Sequence, residues 1–596
     1  MYLNIYDFGY YGDGIKSASN IYFSKEPIDL KIEESAMLIG MLQNSSLYDP
    51  LRRPEITKNR RDLVLMQMAK NKYISENEKD SLQKIPLELN YTPQSHRQGL
   101  ATYFRSYLRG FMKDWTDNNL KSDGSKYNLY SDGLKIYTTI NSKMQKYAEE
   151  SVTEHMKNLQ KEFFIQNDTL STAPFRDLDE DEEESIMKRT MRRSERWRKA
   201  KLSGKSADEI EDIFNVPTEM SIFSWEGDID TVMAPIDSIR YYKHFLQAGM
   251  MSMNPKNGHV MAWVGGINYR NFQYDHVMQS KRQIGSTFKP FLYATAIDQL
   301  KLSPCDMLPD AIHCIEPYKY GNPDPWCPTN SSDKYGGIRT LSNALANSKN
   351  TISAQLIDRV GPRPVADLAR SLGVSSNIPN VPAIALGTPD LSVYEMVGAY
   401  GAFANKGIYV KPVMVTRIED KNGTIIYQSK PETKDVLSEE AAYVTVNLLE
   451  GVTMAGSGTR LRTTGADEYN RAYQNIVTGY PYEFTNPIAG KTGTTQNQSD
   501  GWFIGMVPNL VTGVWVGAED RAIHFEDIAY GQGASMALPI WGVYMKSIYQ
   551  DSTLMISNEG FERPKKLSIE LDCNKFVVDS IGSGKTTDQE ILDIDF

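Results

Sequence analysis

Ser286 and Lys289 stand three positions apart in the stretch Lys281-Arg282-Gln283-Ile284-Gly285-Ser286-Thr287-Phe288-Lys289-Pro290-Phe291. On a helix that spacing puts a hydroxyl and an ammonium on one face, a turn apart, where the amine can take the hydroxyl proton. Ser286 is therefore a candidate nucleophile. A serine hydroxyl attacks poorly at neutral pH, and lysine serves as its base only where burial or nearby positive charge lowers the lysine pKa. Phe288 and Phe291 supply apolar surroundings. Pro290 fits only the first turn of a helix, so the helix should begin near Gly285 or Ser286, where free N–H groups and the positive dipole end favour developing negative charge. Taken alone, Ser-x-x-Lys is short and is common on ordinary helix faces.

Two further short stretches supply groups of the same chemistry. Ser348-Lys349-Asn350 lies on a helical stretch predicted to run from Leu341 to Arg359, and Lys491-Thr492-Gly493-Thr494 lies on an expected edge strand. Each is bland by itself. In this order, with Ser286-x-x-Lys289 first, they form the Ser-x-x-Lys, Ser-x-Asn, Lys-Thr-Gly set of penicillin-recognising serine acyl transferases and hydrolases.

The elements that must hold these groups are legible as patterns. Ala248 to Met253 and His259 to Val264 are apolar strands around Asn254-Pro255-Lys256-Asn257-Gly258, a hairpin signal. Val413 to Ile418 and Thr424 to Tyr427 form a second hairpin around Lys421-Asn422-Gly423, and Ile488 to Thr495, Trp502 to Val507 and Leu510 to Val516 read as successive strands. Between them a Pro- and Gly-rich excursion runs from Ser303 to Gly337. Upstream, Gly133 to Ile140 alternates like a half-buried strand, Ser142 to Met156 has helical spacing, and Ile32 to Leu42 and Lys58 to Lys70 are helical patterns. The acidic run Asp177 to Glu184, followed by the basic run Lys188 to Lys205, reads as a solvated helical insertion whose charges pair locally, or as a docking surface for a charged partner.

Composition bounds the rest. A chain of 596 residues needs two to four domains. Lys+Arg 65 against Asp+Glu 75 gives a net charge of -10, which argues against a nucleic-acid partner. No apolar run reaches the roughly eighteen residues of a membrane helix, and Met1 opens no signal-peptide pattern. Cys305, Cys314 and Cys327 crowd one segment beside His313. A disulfide between two of the three if the protein works outside the cytoplasm, unpaired thiols if it does not, and a zinc site all stand as readings, the last weakened by the absence of Cys-x-x-Cys.

The words around the motifs resemble a known family. Asn254-Pro255-Lys256-Asn257-Gly258-His259-Val260-Met261-Ala262-Trp263-Val264-Gly265-Gly266, Lys281-Arg282-Gln283, Ala385-Leu386-Gly387-Thr388, Tyr400 to Gly407 and Asp500-Gly501-Trp502-Phe503 are similar to the transpeptidase domain of class A penicillin-binding proteins. Tyr2-Leu3-Asn4, Gly12 to Lys25 and Glu34 to Leu42 resemble the last third of the peptidoglycan glycosyltransferase domain that precedes it. The resemblance leaves out the 155 to 240 insertion and the tail. It implies an α+β fold, an antiparallel sheet flanked by helices, preceded by a helical glycosyltransferase remnant. The domains expected are 1–95, that remnant; 96–245, a linker or pedestal with the charged insertion; 246–550, the penicillin-binding transpeptidase; and 551–596, a tail.

The same resemblance implies the chemistry. Ser286 is the acylated serine, Lys289 its base, Ser348 a proton relay, Asn350 a partner of the substrate amide, and Lys491 a charge that keeps Lys289 neutral. Lys491, Thr492, Gly493 and Thr494 face the donor's terminal carboxylate, with the N–H groups of Ser286 and Thr494 on the oxyanion. The implied substrates are D-Ala-D-Ala stem peptides of peptidoglycan, with β-lactams acylating the same serine and no metal or other cofactor. A cell-wall synthesis complex, on the outer side of the inner membrane, is the implied setting. The family's catalytic glutamates for glycan polymerisation and its membrane anchor lie upstream of Tyr2-Leu3-Asn4, so no glycosyltransferase activity is expected of this polypeptide. A hydrolase, either a D,D-carboxypeptidase or a β-lactamase, is the alternative. It is weakened by the lack of Glu-x-x-Leu-Asn between Asn350 and Lys491. A β-lactam sensor that does not turn over would share every motif.

Overall fold

The computed structural model describes residues 2–10, 12, 14–91, 99–462 and 476–576. The chain divides into two compact units, Met1–Ser106 and Tyr107–Phe596. The first is helical: Gly14–Phe23, Ile32–Met41, Pro54–Lys70 and Glu76–Lys84. Phe8, Ile21, Tyr22, Met37, Leu38 and Met41 form its core.

The second unit is built on a five-stranded antiparallel sheet. Its strands are β1 (Gln247–Met253), β2 (Val260–Val264), β3 (Ala489–Thr494), β4 (Asp500–Val507) and β5 (Leu510–Gly517), in the order β3-β4-β5-β1-β2. All eight residues of β4 and of β5 are buried, so both faces of the sheet are covered and the strands read as continuous apolar runs. One face packs on α1 (Ser142–Asn167) and α7 (Leu538–Gln550), through Met144, Val152, Phe503, Val514, Trp541 and Tyr544. The other carries α5 (Val393–Ala404) and α6 (Glu439–Ala455), with α2 (Lys289–Leu300) packed on α6. The fold is α+β, as the resemblance implies.

The hairpin read at 254–258 is present, with Gly258 at φ +73 and a Cβ there 2.5 Å from the Lys411 carbonyl oxygen. The hairpin at 421–423 belongs to a different sheet. Val415–Glu419 and Ile425–Gln428 pair with each other, and Lys135–Thr138 pairs with Val415–Glu419. Within the second unit, the strand Lys135–Thr138 and α1 tie the part of the chain between 107 and 245 to the rest. The charged insertion forms helices Glu180–Arg193, Glu195–Leu202 and Ala207–Asn215, where Glu184 pairs with Lys188, Glu195 with Lys199 and Glu211 with Arg192.

One expectation is corrected. The helix predicted from Leu341 to Arg359 is two helices, α3 (Leu341–Ala346) and α4 (Asn350–Val360). The break is a Schellman end: Ser348 N–H donates to the Leu345 carbonyl (3.1 Å), Lys349 N–H donates to the Ala344 carbonyl (2.9 Å), and Ser348 takes the left-handed conformation, φ +55. Of the three crowded cysteines two are bridged, Cys314 to Cys327, as the reading for a protein outside the cytoplasm has it, and the third, Cys305, joins Cys573 of the tail. The tail is thus part of the unit up to Lys575, and Glu440 accepts from Ser568 N–H and Ile569 N–H.

Candidate active site

Ser286 lies in a 3-10 turn, Gly285–Phe288, that runs directly into α2 at Lys289. A spacing of three is one 3-10 turn, so both side chains project from the same side. Pro290 sits in the first turn of α2, where no hydrogen bond is lost. The turn is fixed from several directions. Tyr400 of α5 donates its hydroxyl to the Thr287 carbonyl (2.6 Å), Gly285 N–H donates to the Gly387 carbonyl (3.0 Å), and Trp502 Nε1 of β4 donates to the Gln283 carbonyl (2.9 Å).

β3 is an edge strand of the sheet and runs against this turn. A Cβ on Gly493 would lie 2.7 Å from the Ile284 carbonyl oxygen, and one on Gly285, at φ +52, 2.7 Å from the Thr494 carbonyl oxygen. Both glycines are required by this close approach. It brings the backbone of Ser286 beside that of Thr494.

Between the turn and the strand stands the break after α3. Lys289 Nζ donates to the Ser348 carbonyl (2.6 Å), to Ser348 Oγ (3.1 Å) and to Asn350 Oδ1 (2.7 Å). Lys491 Nζ donates to the same Ser348 Oγ (3.1 Å) and to its neighbour's carbonyl, Thr492 O (3.0 Å). Ser348 Oγ thus accepts from two amines and keeps its own proton to give. A left-handed non-glycine residue costs on the order of 1–3 kcal/mol, and such strain persists where the surroundings over-determine it. Here two backbone bonds and two amines do so.

Both amines are fully buried. Burial, and then the charge of Lys491, hold Lys289 well below lysine's ordinary value. Burial pushes Lys491 down to about 7. Two ammonium groups on one hydroxyl in a dry site repel, so the pair favours a single charge near neutral pH, leaving one amine free to act as a base.

Of the sequence-predicted residues, Ser286, Lys289, Ser348, Asn350, Lys491, Gly493 and Thr494 converge here. Thr492 turns away from the lysines: its hydroxyl shares a hydrogen bond with Ser457. Thr494 Oγ1 accepts from Gly533 N–H (3.0 Å), leaving its proton for an anion. Asn350 Nδ2 donates to the Thr329 carbonyl (2.8 Å), so one of its two hydrogens is left for a substrate amide.

Sequence reasoning missed several contributors. Arg282 Nε donates to the fully buried Asp500 (2.6 Å), which also accepts from Trp515 Nε1 (2.9 Å) and Thr495 Oγ1 (3.2 Å), locking the approach to Ser286 onto the β3–β4 turn. Both residues stand in noted stretches, Lys281-Arg282-Gln283 and Asp500-Gly501-Trp502-Phe503, but their partnership across the fold has no local signal. Asp310, Thr329 and Asn330, in the 303–337 excursion, have none either.

The chain is similar to known proteins along most of its length. Residues 248–520 match the penicillin binding protein transpeptidase domain, residues 170–246 the penicillin-binding protein middle domain, and residues 1–69 a transglycosylase. The 170–246 match covers much of what the resemblance set aside as an insertion. Penicillin-binding protein 1A of Aquifex aeolicus is 28% identical over 578 residues, 95% of this chain and 72% of that protein. Penicillin-binding protein 1A of Neisseria lactamica is 27% identical over 583 residues, 92% and 68% of the two chains. Among solved structures, penicillin-binding protein 1A from Haemophilus influenzae shares the fold, with TM-score 0.60 and 24% identity over 95% of this chain and 86% of that one. PonA1 from Mycobacterium tuberculosis shares it with TM-score 0.51 and 20% identity, over 82% and 99%.

Proposed function

The chain belongs to the class A penicillin-binding proteins, and from that premise we propose that it is a serine D,D-transpeptidase of peptidoglycan with Ser286 as its acylation site. The observation that carries this reading is the shared Ser348 hydroxyl, held by two buried lysines beside the Ser286 turn.

In the proposed reaction, Ser286 Oγ bonds to the carbonyl carbon of the donor's penultimate D-Ala. Its proton passes to Lys289, while the N–H groups of Ser286 and Thr494 receive the oxyanion. The C–N bond to the terminal D-Ala breaks, and Ser348 hands its proton to the leaving amine and recovers one from Lys289. An acceptor amine then attacks the ester carbon, the bond from that carbon to Ser286 Oγ breaks, and the amine's proton passes by way of Lys289 to the released Ser286 Oγ. Lys491 and Thr494 hold the donor's terminal carboxylate, and Asn350 its amide. The free side of β3 lets the donor peptide lie as an added strand. β-Lactams acylate the same serine, and no metal or other cofactor takes part in these steps.

All four cysteines are in disulfides, which suits an oxidising compartment and supports a site of action outside the cytoplasm; the proposed setting at the membrane, within a cell-wall synthesis complex, rests on the family alone. No helix among the described residues is long and apolar enough to cross a membrane.

A labelled penicillin tests the main reading. A long-lived adduct that Ser286→Ala abolishes is expected, and transfer of a donor stem peptide to an acceptor amine should follow. Rapid turnover of the adduct would instead mark a hydrolase, an adduct without transfer a sensor, and an unchanged adduct on the variant would refute Ser286.

A further inference from the structure

The segment that presents Ser348 and Asn350 is gripped from behind by the 303–337 excursion. Lys349, the residue between them, turns its side chain away from the site and brings Nζ to 2.7 Å from Oδ2 of Asp310, whose side chain is fully buried. The other carboxylate oxygen, Oδ1, accepts from Thr351 Oγ1 (2.7 Å) and Asn330 Nδ2 (2.8 Å). Asn330 in turn accepts, at Oδ1, from Asn350 N–H (2.9 Å), and Thr329 offers its carbonyl to Asn350 Nδ2. Asp310 is itself pinned: its N–H donates to the Gly337 carbonyl (3.0 Å) and its carbonyl accepts from Gly336 N–H (2.8 Å). One carboxylate therefore holds residues 349 and 351 directly and residue 350 through Asn330.

We propose that Asp310 is a positioning residue for acyl transfer, acting through Lys349 and Asn330 to keep Ser348 in its left-handed backbone and its hydroxyl between the two lysine amines. The proposal rests on the role given to Ser348 above. Two features separate it from ordinary stabilisation. A buried ion pair is a weak source of net stability, since desolvation consumes most of its attraction. And a Schellman end takes glycine at the left-handed position most readily, so a serine there needs an external hold. Asp310 touches no reacting atom; it sets where Ser348 stands.

The test uses the full chain, a fluorescent penicillin and rapid mixing, to separate the first-order acylation constant from non-covalent affinity. Asp310→Asn strands the Lys349 ammonium and should lower both the melting temperature and the acylation constant. The double variant Asp310→Asn/Lys349→Met removes both charges. It should regain most of the melting temperature while acylation stays down by about tenfold or more with affinity unchanged, because the tether on residue 349 is still missing. Recovery of acylation together with melting temperature would make the pair merely structural and overturn the proposal, as would wild-type acylation in Asp310→Asn. Ser348→Ala, run alongside, keeps the two claims apart. If it acylates normally, the reading of the site fails. If it is slow while the double variant is fast, only the role of Asp310 fails.

Discussion

Lys491 shows how far the site departs from what stability alone would select. An amine pushed from lysine's usual 10.5 to about 7 binds fewer protons folded than unfolded. The unfolded chain therefore gains the protonation energy as pH falls from 10.5 towards 7, and stability contributed by this group rises with pH across that window. At ~1.4 kcal/mol per pH unit, the burial costs about 4 kcal/mol at pH 7. Its two hydrogen bonds return ~1 kcal/mol each. Lys491→Met should accordingly raise the unfolding free energy at pH 7 by about 1–2 kcal/mol, and the gain should fade above pH 10, while acylation by a labelled penicillin falls by 10² or more. Denaturant melts at two pH values alongside adduct kinetics check both halves. The acid limb of acylation should move as well. Lys289 must be neutral to accept the Ser286 proton, and Lys491 is among the causes that keep its pKa low. Removing that charge raises the Lys289 pKa, so the limb should shift to higher pH, most clearly below about pH 7, where Lys491 is charged.

At the scale of elements, the site is the meeting of one turn, one strand and one helix break, and glycine decides whether they meet. Gly285→Ala would put a methyl 2.7 Å from the Thr494 carbonyl oxygen at φ +52. Since a displacement of ~1 Å at a reacting centre can cost ~10²-fold, acylation should drop by about that factor. Gly423→Ala, at φ +89 with nothing within 4 Å, is the control: about 1 kcal/mol of stability lost and acylation unchanged. The strands and the Ser286 turn were legible because their signals are local: alternation, apolar runs, and a proline that fits only a first turn. The break after α3 was not. Helical spacing continues from Leu341 through Val360, and nothing in Asn347-Ser348-Lys349 announces a left-handed residue, since the groups that hold it there, Asp310, Lys289 and Lys491, arrive from other parts of the fold. Local propensity favoured one helix, and tertiary contacts imposed two.

Over the whole molecule, the features that escaped the sequence are those that join distant segments: the strand Lys135–Thr138 on Val415–Glu419, Arg282 on Asp500, and Cys573 on Cys305. Spacing carries no information about such partners: two of the three crowded cysteines do bridge each other, while Cys305 reaches across 268 residues. The two disulfides should therefore differ in what they protect. Cys305–Cys573 closes most of the unit into one loop and, with the Ser303–Glu570 hydrogen bond, pins the tail behind α2. By loop entropy it contributes up to about 5 kcal/mol, more than the ~3 kcal/mol of the 13-residue Cys314–Cys327 loop. The shorter loop, however, ends two residues before Thr329 and three before Asn330, which hold Asn350. Cys573→Ala should thus lower the melting temperature the more and leave acylation at 25 °C within about threefold of the parent, because no described residue of the tail bonds to a residue of the site. Cys327→Ala should melt closer to the parent yet acylate about tenfold more slowly, its loss falling on the geometry of Asn350. Melting curves and adduct rates on the two variants decide it. Equal slowing in both, or none in Cys327→Ala, would mean that the excursion is held to the site by its hydrogen bonds alone.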